Sequence, residues 1–115
     1  MTATYRLQLQ PDFGFAEVET LLPYLSRLGI SHLYLSPIFE AVPGSAHGYD
    51  GTDPTHVRAE LGGRSALDRL REALDEHTMG LLLDVVPNHL AADAHGPWWW
   101  QLLRDGPDGD AAHVF

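Results

Sequence analysis

The stretch Leu81-Leu82-Leu83-Asp84-Val85-Val86-Pro87-Asn88-His89 constrains this chain most. Apolar residues flank a single aspartate, and Pro87 ends the run. A strand buried on both faces reads as an unbroken apolar run, so the stretch predicts a parallel strand of an α/β fold. Asp84, Asn88 and His89 fall on or just beyond its C-terminal end, which carries the chemistry in parallel α/β folds. A buried polar group costs free energy unless it is hydrogen-bonded, so Asp84 needs partners. Neighbouring backbone N–H groups are the plainest ones.

The segments before it alternate in kind. Residues 4–9 alternate around Tyr5, Leu7 and Leu9 and predict a first strand, broken by Pro11 and Asp12. A helix is predicted over residues 15–28, with Val18, Leu21, Leu22, Leu25 and Leu28 on one stripe. Glu17 suits its first turn, Pro23 should bend it, and Gly29 supplies the stop. Residues 31–36 predict a second strand ended by Pro37. A long loop, residues 37–63, is rich in Gly, Pro, Ser, His and Asp, and loops of that length are more often functional than idle. The next helix is predicted to open on the capping box Ser65-Ala66-Leu67-Asp68, with Leu67, Leu70 and Leu74 as its stripe and Gly80 closing the turn into the third strand. Pro97 starts a short helix through Trp98, Trp99 and Trp100. The order β-α-β-loop-α-β-loop implies a parallel sheet with crossover helices.

Several functions are excluded. All seven basic residues are Arg, and the net charge is −9, which gives no basic footprint for nucleic acid. An acidic chain also repels anionic membranes and phosphorylated ligands, so a neutral ligand suits it better. There is no Cys for disulfides or thiolate chemistry. Neither a signal peptide nor a membrane-spanning run is legible, and a cytoplasmic location is the expectation. No Gly-rich dinucleotide turn follows the first strand, and without Lys there is no phosphate-binding P-loop.

Two polar clusters follow strand ends: His47-Gly48-Tyr49-Asp50 with Asp53, and Asp84 with Asn88 and His89. Loops after adjacent parallel strands meet, so the clusters should converge. Together they offer an aromatic face, two imidazoles, carboxylates and an amide, a set that suits a sugar. Each also has a plainer reading. Tyr49 can be a packed aromatic with a bonded hydroxyl, His47 a solvated loop residue, Asn88 a turn residue and His89 a satisfied imidazole. No spacing typical of zinc ligands occurs.

Taken together, the residues resemble a known family. Asp84-Val85-Val86-Pro87-Asn88-His89 is similar to the Asp-x-x-x-Asn-His signature of the alpha-amylase superfamily of glycoside hydrolases. His47-Gly48-Tyr49-Asp50 with Asp53-Pro54 resembles its upstream substrate-stacking segment. The likeness narrows to the maltooligosyl trehalose synthase branch. It rests on Thr4-Tyr5-Arg6-Leu7-Gln8-Leu9, Leu35-Ser36-Pro37-Ile38, Pro43-Gly44-Ser45-Ala46-His47-Gly48-Tyr49-Asp50, Glu60-Leu61-Gly62-Gly63 and Pro97-Trp98-Trp99-Trp100. Gly51-Thr52, where that branch tends to be apolar, is a minor departure.

The resemblance implies the N-terminal portion of a (β/α)8 barrel: residues 1–115 would be an incomplete catalytic domain with the first three β/α units and the start of the insertion after strand three. It implies a maltooligosaccharide substrate and no cofactor. The reaction would convert the reducing-end α-1,4 bond to an α,α-1,1 bond. Another hydrolase of the superfamily, or a non-enzymatic sugar-binding remnant, are the alternatives. Substrate-binding residues by resemblance are His47, Tyr49, Asp50, Asp84, Asn88 and His89. Tyr49 would stack on the transferred glucose, His47 and His89 would bond its hydroxyls, and Asp84 and Asn88 would buttress the loop. In many amylases the Asn ligates calcium, but its co-ligands come from a domain outside these residues, so no metal is expected. Retaining chemistry uses a nucleophile after strand four, an acid/base after strand five and a stabiliser after strand seven. None matches a residue here, so no catalytic residue is assigned, and the remainder of the barrel is the expected partner. Tyr5, Leu7, Leu35 and Leu83 are expected to face the barrel interior.

Overall fold

The computed structural model describes residues 2–115. In chain order its elements are β1 (Thr4–Leu7), α1 (Phe15–Leu28), β2 (His32–Leu35), β3 (Phe39–Ala41), β4 (Gly51–Val57), α2 (Gly63–Glu76), β5 (Gly80–Leu83) and α3 (Pro97–Asp105). Strands β1, β2 and β5 form a parallel sheet in that order, with Tyr5 opposite Leu33 and Leu33 opposite Leu81. Consecutive parallel strands in simple order, joined by helices, are the repeating unit of a (β/α)8 barrel.

The core lies between the sheet and α1 with α2. Phe15, Val18, Leu22 and Leu25 of α1 and Leu67, Leu70 and Leu74 of α2 are buried with Leu7, Leu33 and Leu35. Leu7 and Leu35 therefore face the helices, not the barrel interior as the sequence suggested. Alternation along the strands places Tyr5 and Leu83 on the helix side as well. The interior face carries Thr4, Arg6, His32, Tyr34, Gly80 and Leu82. The apolar pattern fixed the alternation but not its phase, because the sequence does not say whether the apolar face packs on the helices or on the barrel interior.

α1 runs unbroken through Pro23. Its N-terminus is closed by Glu17, which accepts the Gly14 N–H at 2.9 Å, and its C-terminus by Gly29 at φ 93° with the Ile30 N–H on the Leu25 carbonyl. α2 opens at Gly63, two residues before the Ser65 capping box expected from sequence. Asp68, the acidic member of that motif, instead accepts from Arg64 at 3.1 Å along the helix face. The left-handed residue after α2 is Thr78 at φ 55°, not Gly80. Gly80 serves packing: a Cβ there would lie 2.3 Å from Cδ2 of His32, its partner on β2.

The first two strands end earlier than the sequence reading, at Leu7 and Leu35. Pairing continues beyond them through side chains: the buried Ser36 hydroxyl accepts the Leu9 N–H at 2.7 Å. The segment expected as a loop over residues 37–63 contains an antiparallel hairpin, β3 on β4, with register shifts on both sides of Glu40. Those irregularities are why no clean two-residue alternation was legible. Pro97 does start α3. Trp99 packs edge-on against Phe115 at 5.2 Å, and the Trp100 indole N–H donates to the Ala94 carbonyl. Among the described residues, no helix is long and apolar enough to cross a membrane.

Both outer strands of the parallel sheet are open edges. Leu82, Leu83 and Val85 at the β5 edge are exposed, and Tyr5 at the β1 edge is 43% exposed. The radius of gyration is 16.2 Å, against about 13 Å for a compact chain near this length. The 115 residues alone should therefore self-associate or pack loosely. Sedimentation velocity and near-UV circular dichroism check this. A monodisperse monomer with sharp aromatic signals would contradict it.

Candidate functional site

Asp84 is the first residue past β5, and its N–H still pairs with the Leu35 carbonyl at 3.0 Å. That bond carries the strand alternation one step further and turns the carboxylate to the interior face. Two phenols meet it there. Tyr49 donates its hydroxyl to Asp84 Oδ2 at 2.6 Å, and Tyr34 of β2 donates to the same oxygen at 3.2 Å. Arg6 of β1 donates to the Tyr49 oxygen at 2.8 Å and lies 5.7 Å from the centre of the Tyr34 ring. Asp84 is thus held by side-chain hydroxyls rather than by the backbone groups that the sequence suggested first.

His47 and His89 close round the same tyrosine. The Tyr49 N–H donates to His47 Nδ1 at 3.0 Å, so that nitrogen carries no proton and Nε2 is the free donor of the neutral ring. The two rings stack with centroids 6.0 Å apart and planes 23° apart. His89 Nε2 lies 2.8 Å from the Tyr49 carbonyl, which can only accept. Its Nδ1 is 3.2 Å from the Asn88 side-chain amide. The structure therefore brings His47, Tyr49, Asp84, Asn88 and His89 to one side, at the C-terminal ends of the parallel strands.

Two acidic residues are committed elsewhere. Asp50 accepts the Ser45 hydroxyl at 2.6 Å within its own loop. Asp53 accepts the Thr55 N–H at 2.9 Å and pairs with His56 Nδ1 at 2.9 Å. Burial opposes its ionisation, but the bonds from Thr55 and His56 outweigh it and hold the carboxyl below the usual range. No three His, Asp or Glu side chains gather as metal ligands among the described residues.

Arg6, Tyr34 and Gln8 were not singled out by sequence reasoning as site residues. Gln8 accepts from Arg6 at 2.9 Å and donates to the Ala46 carbonyl at 3.1 Å, joining β1 to the loop before Tyr49. The available signal was a guanidinium inside a short strand, which needs a polar interior to face. A cavity of about 30 Å³ lies between Asp84, His89 and Gly48, and one of about 230 Å³ adjoins it beside Asn88, His89 and Trp98. A larger concavity of about 580 Å³ runs along α3, but no imidazole or carboxylate lines it. The convergent polar groups, not volume, mark the site.

The bond to Asp84, with burial second, raises the Tyr49 hydroxyl above the usual tyrosine range, and Arg6 opposes this in part. The bond's contribution to stability is present below the unfolded tyrosine value of about 10 and is lost as pH rises through the raised folded value. Ultraviolet titration of the protein against its Tyr49→Phe variant isolates this hydroxyl. Asp84→Asn should move its ionisation to lower pH, and an unmoved curve would remove Asp84 as the cause.

Comparison with known proteins agrees with this geometry. The family model for the alpha amylase catalytic domain matches residues 15–108. A Mycobacterium tuberculosis protein named as a maltooligosyl trehalose synthase is 48% identical over 98% of this chain and 16% of its own length. The solved maltooligosyltrehalose synthase from Arthrobacter ramosus superposes with a TM-score of 0.93 at 40% identity, over 97% of this chain and 15% of that one. The alpha-amylase SusG of Bacteroides thetaiotaomicron is 44% identical, but over 68% of this chain and 11% of its own length. The chain thus spans about one sixth of the synthases it matches. Its open sheet corresponds to part of their TIM barrel. The chain belongs to the alpha-amylase family, and its parallel strands with the loops after them form part of that family's catalytic domain.

Proposed function

We propose that this chain is the N-terminal part of a maltooligosyl trehalose synthase and supplies the sugar-holding half of its active site. One observation carries the choice within the family: likeness to synthases runs along nearly the whole chain, whereas likeness to the amylase SusG covers two thirds of it. The reaction is an intramolecular transglucosylation. The α-1,4 bond to the reducing-end glucose breaks, and the C1 hydroxyl of that glucose then forms an α,α-1,1 bond to the donor carbon. The released glucose must stay bound while it turns over, so contacts that hold hydroxyls matter as much as the carboxylates.

In this reading Tyr49 packs the ring face away from His47 on the transferred sugar. His47 Nε2 is a free donor for a sugar hydroxyl. His89 meets the sugar by exchanging its bond to the Tyr49 carbonyl. Asp84 keeps Tyr49 upright, and Asn88 and Asp50 support the two loops. The paired nucleophile and proton donor of the retaining mechanism lie outside these residues.

The chemistry gives a direct test in the full-length protein carrying this segment. Bond isomerisation consumes a reducing end, whereas hydrolysis creates one. Incubation with maltopentaose should lower the reducing-end count with glucose units conserved in a non-reducing product. A rising count would assign a hydrolase instead. The 115 residues alone should do neither, and turnover by them would overturn the division of the site.

Two substitutions in the full-length protein test the residue roles. Tyr49→Ala should raise KM by removing a stacking face worth about 1 kcal/mol, or about fivefold. His89→Ala should lower kcat more than it raises KM, because its contact strengthens as charge develops on the sugar ring. Parent-like KM and kcat, respectively, would refute each role.

A further inference from the structure

Among the described residues, one charged side chain is completely buried, and it lies outside the cluster just described. Arg58, at the end of the hairpin, has no exposed surface. Its Nε and one terminal nitrogen donate to Glu60 Oε2 at 3.1 and 2.5 Å, and the same terminal nitrogen donates to the Ser45 carbonyl at 2.9 Å. The other terminal nitrogen has no partner among the described residues. Glu60 also accepts the Gly44 N–H, at 3.0 Å to Oε1. From Ser45 the network continues inward: its hydroxyl donates to Asp50 and accepts the Gly48 N–H at 3.0 Å. The next residue is Tyr49.

The loop over residues 43–49 depends on these bonds. Its backbone contributes few of its own, chiefly Ser45 N–H to the Val42 carbonyl. Gly44 and Gly48 both hold left-handed backbone, at φ 78° and 79°. A loop with two left-handed residues and little backbone pairing takes its shape from side-chain anchors. A fully buried guanidinium with a donor left over is also a poor means of adding stability, since an apolar side chain of similar size does as well or better. Its geometric effect is more specific. A planar guanidinium fixes one carbonyl and one carboxylate in a single plane, which an apolar residue or a lysine cannot do.

We propose that Arg58, forked to Glu60, is a positioning residue for sugar binding: it sets the Gly44–Ser45 backbone and through it the orientation of Tyr49 and His47. This rests on the reading of Tyr49 as the sugar-stacking residue. It predicts a binding defect from a buried side chain that no sugar can touch.

The test uses the full-length protein carrying this segment, with maltopentaose as substrate. Arg58→Met keeps the volume and leaves Glu60, whose side chain is 37% exposed, able to reach water. It should raise KM several-fold to about tenfold, with a smaller change in kcat and little change in melting temperature. Glu60→Gln should raise KM in the same direction by less. In a Tyr49→Ala background the effect of Arg58→Met on KM should vanish, because residues acting as one unit are not additive. A merely structural Arg58 would lower the amount of active protein, and so the apparent kcat, without moving KM.

Parent-like KM in both Arg58→Met and Glu60→Gln overturns the inference, and so does a full KM effect persisting without Tyr49. If Arg58→Met does not fold, Glu60→Gln decides: a raised KM supports the proposal, and an unchanged KM ends it. Tyr49→Ala by itself separates the two levels. If it leaves KM unchanged, the sugar-stacking reading falls and this inference with it. If it raises KM while the Arg58 and Glu60 variants do not, only the positioning role falls.

Discussion

The carboxylate of Asp84 is where the sheet and the loops become one object. It stands one residue past β5 and receives the hydroxyls of Tyr34, from the middle strand, and Tyr49, from the hairpin loop. Arg6 of the first strand reaches the same Tyr49 oxygen. Three strands and one loop are thereby tied at a single charged group. Without the carboxylate, two phenols would lose their acceptor and the guanidinium its counter-charge. A partly buried polar cluster is stable only when each member is satisfied, so these residues stand or fall together. The raised Tyr49 ionisation is a local sign of that dependence.

The cluster needs a polar interior face, and the phase of the strands provides it. Leu33 and Leu35 turn to the helices and are fully buried there, while His32 and Tyr34 turn the other way. The apolar core on the helix side is therefore closed at the middle strand, while Tyr5 and Leu83 on the two edge strands stay partly exposed. The opposite face is shaped for other strands and for water or ligand. This explains how residues with a well-packed core can also leave Leu82 and both sheet edges uncovered. The two faces have different duties: the helix side holds the apolar core and the inner side the polar cluster.

Much of this was legible in the sequence, for identifiable reasons. α1 was bounded correctly because its apolar stripe, Glu17 and Gly29 all agree. The parallel order followed from the alternation of short apolar runs with helical stripes. The convergence of the two clusters followed from their position after strand ends. The phase of the strands was not legible, because Tyr5, Leu7, Leu35 and Leu83 are apolar whichever way they face. Nor was the hairpin, whose register shifts beside Glu40 break the alternation. Asp50 reads as a site carboxylate from its place beside Tyr49, yet its closest bond is to Ser45. Arg58 gave no signal at all, since a lone arginine between His56-Val57 and Ala59-Glu60 looks like an ordinary surface residue.

Burial of that arginine changes how the site is understood. Hydrogen bonds reach Tyr49 from the sheet, through Arg6 and Asp84, and reach the loop before it from the hairpin's far end, through Arg58 and Ser45. His89 holds its carbonyl from the segment after β5. The bonds to its hydroxyl and the anchored loop before it keep the Tyr49 ring in place without a ligand, even when His89 lets go of the carbonyl, so little ordering entropy is lost when one binds.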